Sequence, residues 1–407
     1  MIKHVTIKNF KGINSLEITP KKFNVLVGRN NTGKTSILEA ISVCINSDLI
    51  KNLFENKYQN SIINYLSDNS SIKIEKEDNK VKKLSLRRAT PEQILNLLKN
   101  DLSDFFSKKG KLPRKFDKNI AIERIIKDLD KDKIYQTSLD SIVALVNYSD
   151  RQILLPGKLY ENLLTDALYE LDDIYKHKKV KDSTARSSKE TLIDSIWGNV
   201  EMFSMLRYFN KPLNKNPFGI DKKNNITFIK DTLNSFKSIN TSEKLALQLE
   251  NMIKHDNIIP NLTRFNFHSL VLDTEDGSKE IPIESMGDGF KSLIYILTRL
   301  YENESNIILI EEPENYMHPG YIRELIHYII SIANNSQTQL FITTHSQDFL
   351  YMLTSNDALP GNDIEFLKKE LLILQLSKWK DGIILSNLDY NDSVSDMEDL
   401  LLDLRGI

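Results

Sequence analysis

The chain has 407 residues, of which 40% are hydrophobic, and its formal net charge is −2. This much apolar sequence can fill the cores of two or three subdomains, and the near-neutral charge gives no support to bulk binding of nucleic acid. The one cysteine, Cys44, excludes a disulfide within the chain and fits a reducing compartment. The first twenty residues lack the apolar core of a signal peptide, and no run approaches the ~18 apolar residues of a membrane span, so we expect a cytoplasmic protein without a membrane segment.

The first 88 residues are predicted to be rich in β-strands around a single helix. Alternating and continuous apolar runs predict strands near residues 2–8, 14–18, 22–27, 71–77 and 82–88. A polar turn at residues 76–80 predicts that the last two strands form a hairpin. The helix follows the third strand, and Cys44 lies on its apolar face, where we expect it to be packed in the core.

The turn between the third strand and this helix has the pattern G-x-x-x-x-G-K-[ST] of a phosphate-binding loop, in the strand–helix context that such a loop requires. Gly28 and Gly33 permit the curled backbone whose N–H groups face phosphate oxygens, and the helix N-terminus adds a positive dipole end. Lys34 is predicted to place a positive charge at the β- and γ-phosphates of ATP, and the Thr35 hydroxyl to ligate Mg²⁺. We predict nucleotide contacts from Arg29, Asn30, Asn31, Thr32, Gly33, Lys34, Thr35 and Ser36.

Residues 89–258 show helical apolar spacing with few strands, which predicts a helical insertion lobe. The spacing is not sustained in heptads, so we expect a compact lobe and not a long coiled coil. Two basic groups in this region indicate either a surface for DNA, RNA or an acidic protein, or solvated loops, and aromatic residues for base stacking are scarce there. The groups consist of Lys108, Lys109, Lys111, Arg114, Lys115 and Lys118, and of Lys176, His177, Lys178, Lys179, Lys181, Arg186 and Lys189.

From residue 259 a β/α pattern resumes. Hairpins are predicted around Asp276-Gly277 and Lys380-Asp381, and an amphipathic helix at the acidic C-terminal end. Between the two predicted hairpins, a glycine-rich turn, Gly287-Asp288-Gly289, precedes an apolar helix. Such turns precede many helices, so this turn alone does not indicate a function, and its interpretation depends on the order of the motifs around it.

A buried-strand pattern at residues 306–310 ends in two acids and a proline, Glu311-Glu312-Pro313, which is the form of a Walker B motif beside a phosphate loop. Glu311 is predicted to hold Mg²⁺, and Glu312 to orient or deprotonate the attacking water. The alternative is a charged cap on a strand. The next strand pattern ends at His345, which either senses the γ-phosphate or is a hydrogen-bonded loop residue.

This order of motifs resembles the ABC-type ATPases, and more narrowly the OLD-like members of their SMC/RecF branch. The resemblance rests on Ile7–Gly12, Gly28–Ile41, Met286–Leu293, Ile310–Pro319 and Ile342–Ser346. It implies an α/β fold, an ABC-type P-loop ATPase head with mixed sheets, a parallel core sheet and a large helical insertion. We therefore divide the chain into the first part of the head, the insertion lobe and the second part of the head, at residues 1–88, 89–258 and 259–407.

The resemblance also implies a composite site, in which the signature turn Gly287-Asp288-Gly289 closes over the nucleotide of a second subunit. We therefore expect an ATP-dependent head-to-head dimer or higher oligomer. The chain departs from the family pattern at Gly287, where a serine is usual, so that a backbone N–H or Ser285 would have to serve. The glutamine of the Q-loop is either Gln136 or Gln152.

Full-length OLD proteins carry a TOPRIM nuclease domain after the ATPase, and only about sixty residues follow His345 here, so we expect an ATPase without its own nuclease. The resemblance implies most directly a regulatory ATPase with a separate TOPRIM or HNH nuclease effector, as in Septu- or PARIS-type antiphage defence systems. The alternatives are a RecF-like DNA-repair or chromosome-maintenance ATPase that acts directly on DNA, and a transporter ATPase, which the long insertion disfavours. We expect the insertion to recognise the partner, DNA or a phage protein.

Overall fold

The computed structural model describes residues 1–46, 69–108, 118–146, 152–155, 159–167, 226–236, 242–302, 306–355, 357–379, 382–399 and 403–405. Contacts between residues divide the chain into two compact units. Unit 1 consists of Met1–Ser47, Ile72–Lys82 and Asp221–Ile407, and unit 2 of Asp48–Ser71 and Lys83–Ile220. Within the described ranges, no helix is both long enough and apolar enough to cross a membrane.

The N-terminal part of the chain forms four strands and one long helix. These are β1 (Ile2–Phe10), β2 (Ile13–Ile18), β3 (Phe23–Gly28), α1 (Lys34–Ile45) and β4 (Ser70–Lys76). β1 lies between β2 and β4, and its pairing with β2 is antiparallel. Cys44 is buried on α1, and its thiol lies 3.6 Å from the carbonyl oxygen of Ile72. The strands lie within a few residues of the positions that the sequence predicts.

A tight turn follows β4, in which the Lys76 N–H donates to the carbonyl oxygen of Lys80 at 2.9 Å. The turn leads into β5 (Val81–Arg88), and the chain passes into unit 2 within this strand.

Unit 2 contains both helices and strands. Its helices are α2 (Pro91–Lys108), α3 (Lys118–Asp128), α4 (Lys131–Leu139) and a helical stretch at residues 159–167. Its strands β6 (Ile142–Val146) and β7 (Gln152–Leu155) extend β5 as an antiparallel sheet. Ile94, Leu98 and Leu102 repeat every four residues along α2 and form one side of the core. The sequence predicts few strands here because a run of four or five apolar residues fits a strand and a buried helix equally well.

The chain is back in unit 1 before β8, well ahead of residue 259. The elements that follow are β8 (Ile226–Ile229), α5 (Thr232–Phe236), α6 (Glu243–His255), β9 (Leu262–Phe265), β10 (Ser269–Thr274) and β11 (Gly277–Pro282). Leu245, Leu249 and Ile253 on α6 pack into the core of unit 1. The contact-defined units therefore place the start of the second head segment at Asp221 and not at residue 259. An apolar repeat identifies the buried face of a helix but does not identify which core that face joins.

The remainder of the chain alternates helices with strands. After a short 3₁₀ turn at Ile283–Ser285 come α7 (Asp288–Tyr301), β12 (Ile307–Glu311), α8 (Pro319–Asn335), β13 (Gln339–Thr344), α9 (Gln347–Thr354), α10 (Gly361–Glu370), β14 (Leu371–Trp379), β15 (Gly382–Leu388) and α11 (Tyr390–Val394). β14 and β15 pair antiparallel, with Trp379 opposite Gly382. The predicted hairpin turn at Lys380-Asp381 lies outside the described residues, as do residues 400–402 of the predicted C-terminal helix.

The central sheet of unit 1 has the strand order β15-β14-β3-β13-β12-β8. β14, β3, β13, β12 and β8 are parallel to one another, and β15 is antiparallel. Every residue of β3 and β13 is buried, as expected of a sheet covered on both faces. Since the carboxyl ends of parallel strands meet at one edge, the residues after β3, β8, β12 and β13 lie along the same edge of the sheet.

Candidate nucleotide site

The phosphate loop begins at the carboxyl end of β3 and continues into the first turn of α1. Gly28 has φ +149°, and a side-chain carbon there would lie 2.5 Å from the carbonyl oxygen of Leu376 on β14. Gly33 has φ +93° and precedes α1 without a side-chain cap. Only glycine fits the approach at residue 28, and the uncapped N–H groups at the start of α1 are the donors that a phosphate requires.

Lys34 is buried within this loop, with 5% of its surface exposed. Its Nζ donates to the carbonyl oxygens of Gly28 at 2.7 Å and Arg29 at 3.0 Å. Burial lowers the pKa of Lys34 because it removes water from the ammonium group, and nearby carboxylates oppose this effect without reversing it. The carboxylates belong to Glu312, Glu314 and Glu311.

The other residues of the loop differ in exposure. Arg29, Asn30 and Asn31 are exposed, and Asn31 has a positive φ of 63°. Thr32 is buried and donates from its hydroxyl to the carbonyl oxygen of Arg29 at 2.8 Å. Ser36 is half-buried, and its Oγ lies 3.4 Å from the carbonyl oxygen of Lys11 in the β1–β2 turn.

The two predicted metal ligands lie in direct contact. The hydroxyl of Thr35, in the first turn of α1, donates to Oε1 of Glu311 at the end of β12. A hydroxyl and a carboxylate beside bound phosphates are the oxygen ligands that Mg²⁺ uses in nucleotide sites. The donor set therefore fits this ion.

Glu312 is held on both carboxylate oxygens. Its Oε1 lies 3.1 Å from Nδ1 of His345, and its Oε2 accepts from the side-chain amide of Asn315 at 3.2 Å. Glu312 has a positive φ of 44°, a conformation that costs a non-glycine residue about 1–2 kcal/mol. Its N–H donates to the carbonyl oxygen of Thr343 on β13 at 3.0 Å, which fixes this backbone in place.

The sequence analysis missed two residues of this loop, Glu314 and Asn315. Asn315 holds Glu312, and Glu314 is buried against Thr344 and the main chain of His345. Both follow Glu312 within three positions, so their only signal in the sequence is closeness to the Walker B acids.

The predicted signature turn lies at the start of α7. Gly287 is exposed in an ordinary extended conformation, and no described atom lies within 4 Å of where its side-chain carbon would be. Asp288 is also exposed and pairs with Lys291 at 2.8 Å. Gly289 is buried against the carbonyl oxygen of Tyr316. Ser285 is exposed at the end of the 3₁₀ turn.

A residue that the sequence analysis did not select follows β8, the strand next to β12. Lys230 follows β8, and its Nζ lies 3.8 Å from Glu39 on α1, which also pairs with Lys11. The two Q-loop candidates are in unit 2, where Gln136 lies on α4 and Gln152 on β7.

The sequence profile of the AAA ATPase domain family matches residues 1–350. The chain belongs to this family. The protein is therefore an ATPase that binds nucleotide, and the P-loop ATPase fold and the ATPase activity predicted from the sequence are confirmed.

The relatives of this ATPase include three named proteins. It is 24% identical over 397 residues to the endonuclease GajA of Bacillus cereus (strain HuB5-5), a match that covers 84% of this chain and 54% of GajA. It is 21% identical over 360 residues to an ATP/GTP phosphatase of Helicobacter pylori, with 87% of each chain covered. It is 23% identical over 409 residues to the retron Vc95 probable ATPase of Vibrio cholerae, with 91% of this chain and 75% of the relative covered. The chain thus spans about half the length of GajA.

Among solved structures, this ATPase is similar to the SMC head domain from Thermotoga maritima. The TM-score is 0.42 at 11% identity, over 95% of this chain and 99% of the other. An Smc head domain from Pyrococcus furiosus gives a TM-score of 0.42 at 13% identity, over 98% and 99%.

Proposed function

We propose that this ATPase hydrolyses ATP with Mg²⁺ in a site shared by two copies of the chain, and that this cycle controls a separate nuclease effector in antiphage defence. One observation carries the chemical part of the proposal. Thr35 contacts Glu311, and Glu312 contacts His345, along the one edge of the sheet at which β3, β12 and β13 end.

In this proposal Lys34 and the N–H groups at the start of α1 bind the β- and γ-phosphates. Thr35 and Glu311 would hold Mg²⁺, which would neutralise charge on the phosphate oxygens. Glu312 accepts the proton of the attacking water, and His345 orients the Glu312 carboxylate.

The exposed turn at Gly287-Asp288-Gly289 supports the shared site. Its backbone faces open space at Gly287, and α7 begins there with no side-chain cap. A helix start with free N–H groups and no bulky side chain is suited to approach the phosphates of a second copy.

The names of two relatives support the proposed link to a nuclease and to defence. One is an endonuclease and the other a probable ATPase of a retron, and each match covers more than four-fifths of this chain. The matched part of GajA is only 54% of that protein, so the nuclease activity itself is not carried over by the match.

The test is to purify this ATPase together with the products of adjacent genes and to measure DNA cleavage with ATP, with a non-hydrolysable analogue and with no nucleotide. Glu312→Gln should lower ATP turnover by roughly 10²–10⁴-fold while ATP still binds. Glu275→Gln, in the exposed β10–β11 turn, is the matched control. Cleavage that changes with nucleotide state and requires a co-purified nuclease would support the proposal. ATP-dependent DNA binding by this protein alone, with no partner, would favour the DNA-maintenance alternative.

A further inference from the structure

The carboxyl group of Glu314 connects the loop after β12 to the turn after β13. Its Oε1 accepts from the Thr344 hydroxyl at 2.6 Å and from the His345 N–H at 3.3 Å. The Thr344 hydroxyl also accepts from the Ser346 N–H at 3.0 Å. One carboxyl oxygen and one hydroxyl thus hold the main chain on both sides of His345.

The other oxygen of Glu314 has no hydrogen-bond partner among the described residues, although the side chain is only 7% exposed. Burial raises the pKa of Glu314, and the hydrogen bonds from Thr344 and His345, together with the charge of His345, act in the opposite direction. A buried carboxyl group is costly, and a core position is better filled by an apolar residue unless the carboxyl group has a role.

His345 is therefore held at two points, both by acids of the same loop. Its ring contacts Glu312, and its N–H contacts Glu314, two residues further along. The backbone of this loop is itself tied to β13 through Glu312. Any shift of the turn after β13 would move the imidazole away from the Glu312 carboxylate.

We propose that Glu314 is a positioning residue for ATP hydrolysis, which fixes the main chain of His345 and thereby holds the imidazole against Glu312. The proposal rests on the role proposed above for Glu312. Glu314 acts on His345 through an acceptor oxygen, because the two groups that donate to it, a hydroxyl and a backbone N–H, need only an acceptor.

The first test compares Glu314→Ala with Glu314→Gln. The glutamine keeps an acceptor oxygen for Thr344 and His345, so its kcat should stay within about threefold of wild type. The alanine removes the acceptor, and kcat should fall roughly 10–100-fold, because small displacements of a catalytic group have effects of this size. KM for ATP should differ less than threefold between the two variants, since both remove the same charge near Lys34.

The second test acts from the other side of the contact. Thr344→Val removes the hydroxyl and should reproduce the loss of kcat seen in Glu314→Ala. Thr344→Ser keeps a hydroxyl and should retain the wild-type kcat. Thr137→Val is the matched control: Thr137 is equally buried and donates to a backbone carbonyl, but it lies on α4 in unit 2. Its kcat should equal that of wild type. These variants keep the proposal testable if Glu314→Ala fails to fold.

A double-mutant cycle separates positioning from general structural support. If Glu314 acts through His345, then Glu314→Ala should have no further effect on kcat in a His345→Ala background. An equal loss in both backgrounds, or a glutamine variant as impaired as the alanine variant, would overturn the proposal. Failure of the Glu312 assignment gives a different result, wild-type turnover by Glu312→Gln, whatever the Glu314 variants show.

Discussion

A side-chain carbon at Gly289 would lie 2.5 Å from the carbonyl oxygen of Tyr316, so α7 begins in backbone contact with the loop that follows β12. That loop carries Glu312, and Tyr316 itself has a positive φ of 69°. The predicted signature turn and the Walker B loop are thus packed against each other within one copy of the chain.

The Gly289 contact predicts the result of adding one methyl group. Gly289→Ala should lower the free energy of unfolding by about 1–3 kcal/mol, because the backbone of the β12 loop must shift to admit the side chain. The rate of ATP turnover of Gly289→Ala should also fall. Urea denaturation and a steady-state ATPase assay check this, with Gly287→Ala as the control, since residue 287 has room for the methyl group. Equal stability of the two variants would contradict the packing described.

Gly287 offers the matching test of the shared site. Gly287→Arg should leave ATP binding to the monomer within about threefold of wild type, because the added side chain enters open space in an ordinary conformation. Hydrolysis should fall by at least tenfold, since the side chain would block a second copy. Gly361→Arg, at another exposed glycine beside a helix start with no described atom in reach, should leave both unchanged. Concentration-independent turnover by monomeric protein would refute the shared site.

Lys34→Ala should weaken nucleotide binding severely. The change removes the one buried ammonium of the loop, and losing one partner of a buried charge contact costs about 2–5 kcal/mol, or roughly 30-fold or more in affinity. Titration calorimetry with ATP measures the loss. Lys279→Ala, on the exposed strand β11, serves as the control. If Lys34→Ala bound ATP with wild-type affinity, Lys34 would not be a nucleotide-binding residue.

Glu314 predicts a particular dependence of stability on pH. Burial raises its pKa above the ordinary value of 4.5, so the folded protein binds this proton more tightly than the unfolded chain. Its contribution to stability is then fully present below about pH 4.5 and is lost as pH rises through the folded pKa. Among the described residues, the groups that act on it are Lys34, Thr344 and His345.

The glutamine of Glu314→Gln cannot titrate. Comparison with this variant therefore isolates the contribution of the Glu314 carboxyl group to the pH dependence of stability. The stability of wild type minus that of Glu314→Gln should decrease from pH 4.5 towards neutrality and then level off. Urea denaturation at several pH values measures the difference. A difference that is flat or that rises with pH would contradict the raised pKa.

The insertion is predicted to recognise the partner through its first basic group. Of that group, only Lys108 and Lys118 fall within the described residues, at the end of α2 and the start of α3, and the second group lies outside them. Reversing the charges of Lys108, Lys109, Lys111, Arg114 and Lys115 should weaken binding of a co-purified partner or of DNA at least tenfold, with ATP turnover retained. Unchanged binding to every partner and to nucleic acid would identify these lysines as solvated loop residues.

Much of the site follows from local sequence. The phosphate loop, the pair Glu311 and Glu312, and the position of His345 after a buried strand are all visible as strand ends followed by polar residues. The structure brings these residues to one edge because the strands are parallel and adjacent. Their chemical roles stay predictions.

The features that the sequence analysis missed depend on contacts between distant segments. β8 reads as a short apolar run within a helical region, and only its pairing with β12 places it in the head. Glu314 reads as one more acid in an acidic loop, and only the fold shows that it is buried against Thr344. Short patterns specify local conformation, but the partner of a strand or of a buried acid is a property of the whole fold.

The place of β3 in the central sheet also determines when the ATPase can fold during synthesis. β3 lies between β13 and β14, so both of its neighbours are made on the order of 300 residues after it. At about 5–20 residues per second, the phosphate-loop strand emerges from the ribosome roughly 15–60 seconds before either partner exists. Through that interval a strand whose every residue is destined for the interior stays unpaired. We therefore expect ATP to bind only after β13 and β14 have been made, because the strand before its binding loop lacks both neighbours until then.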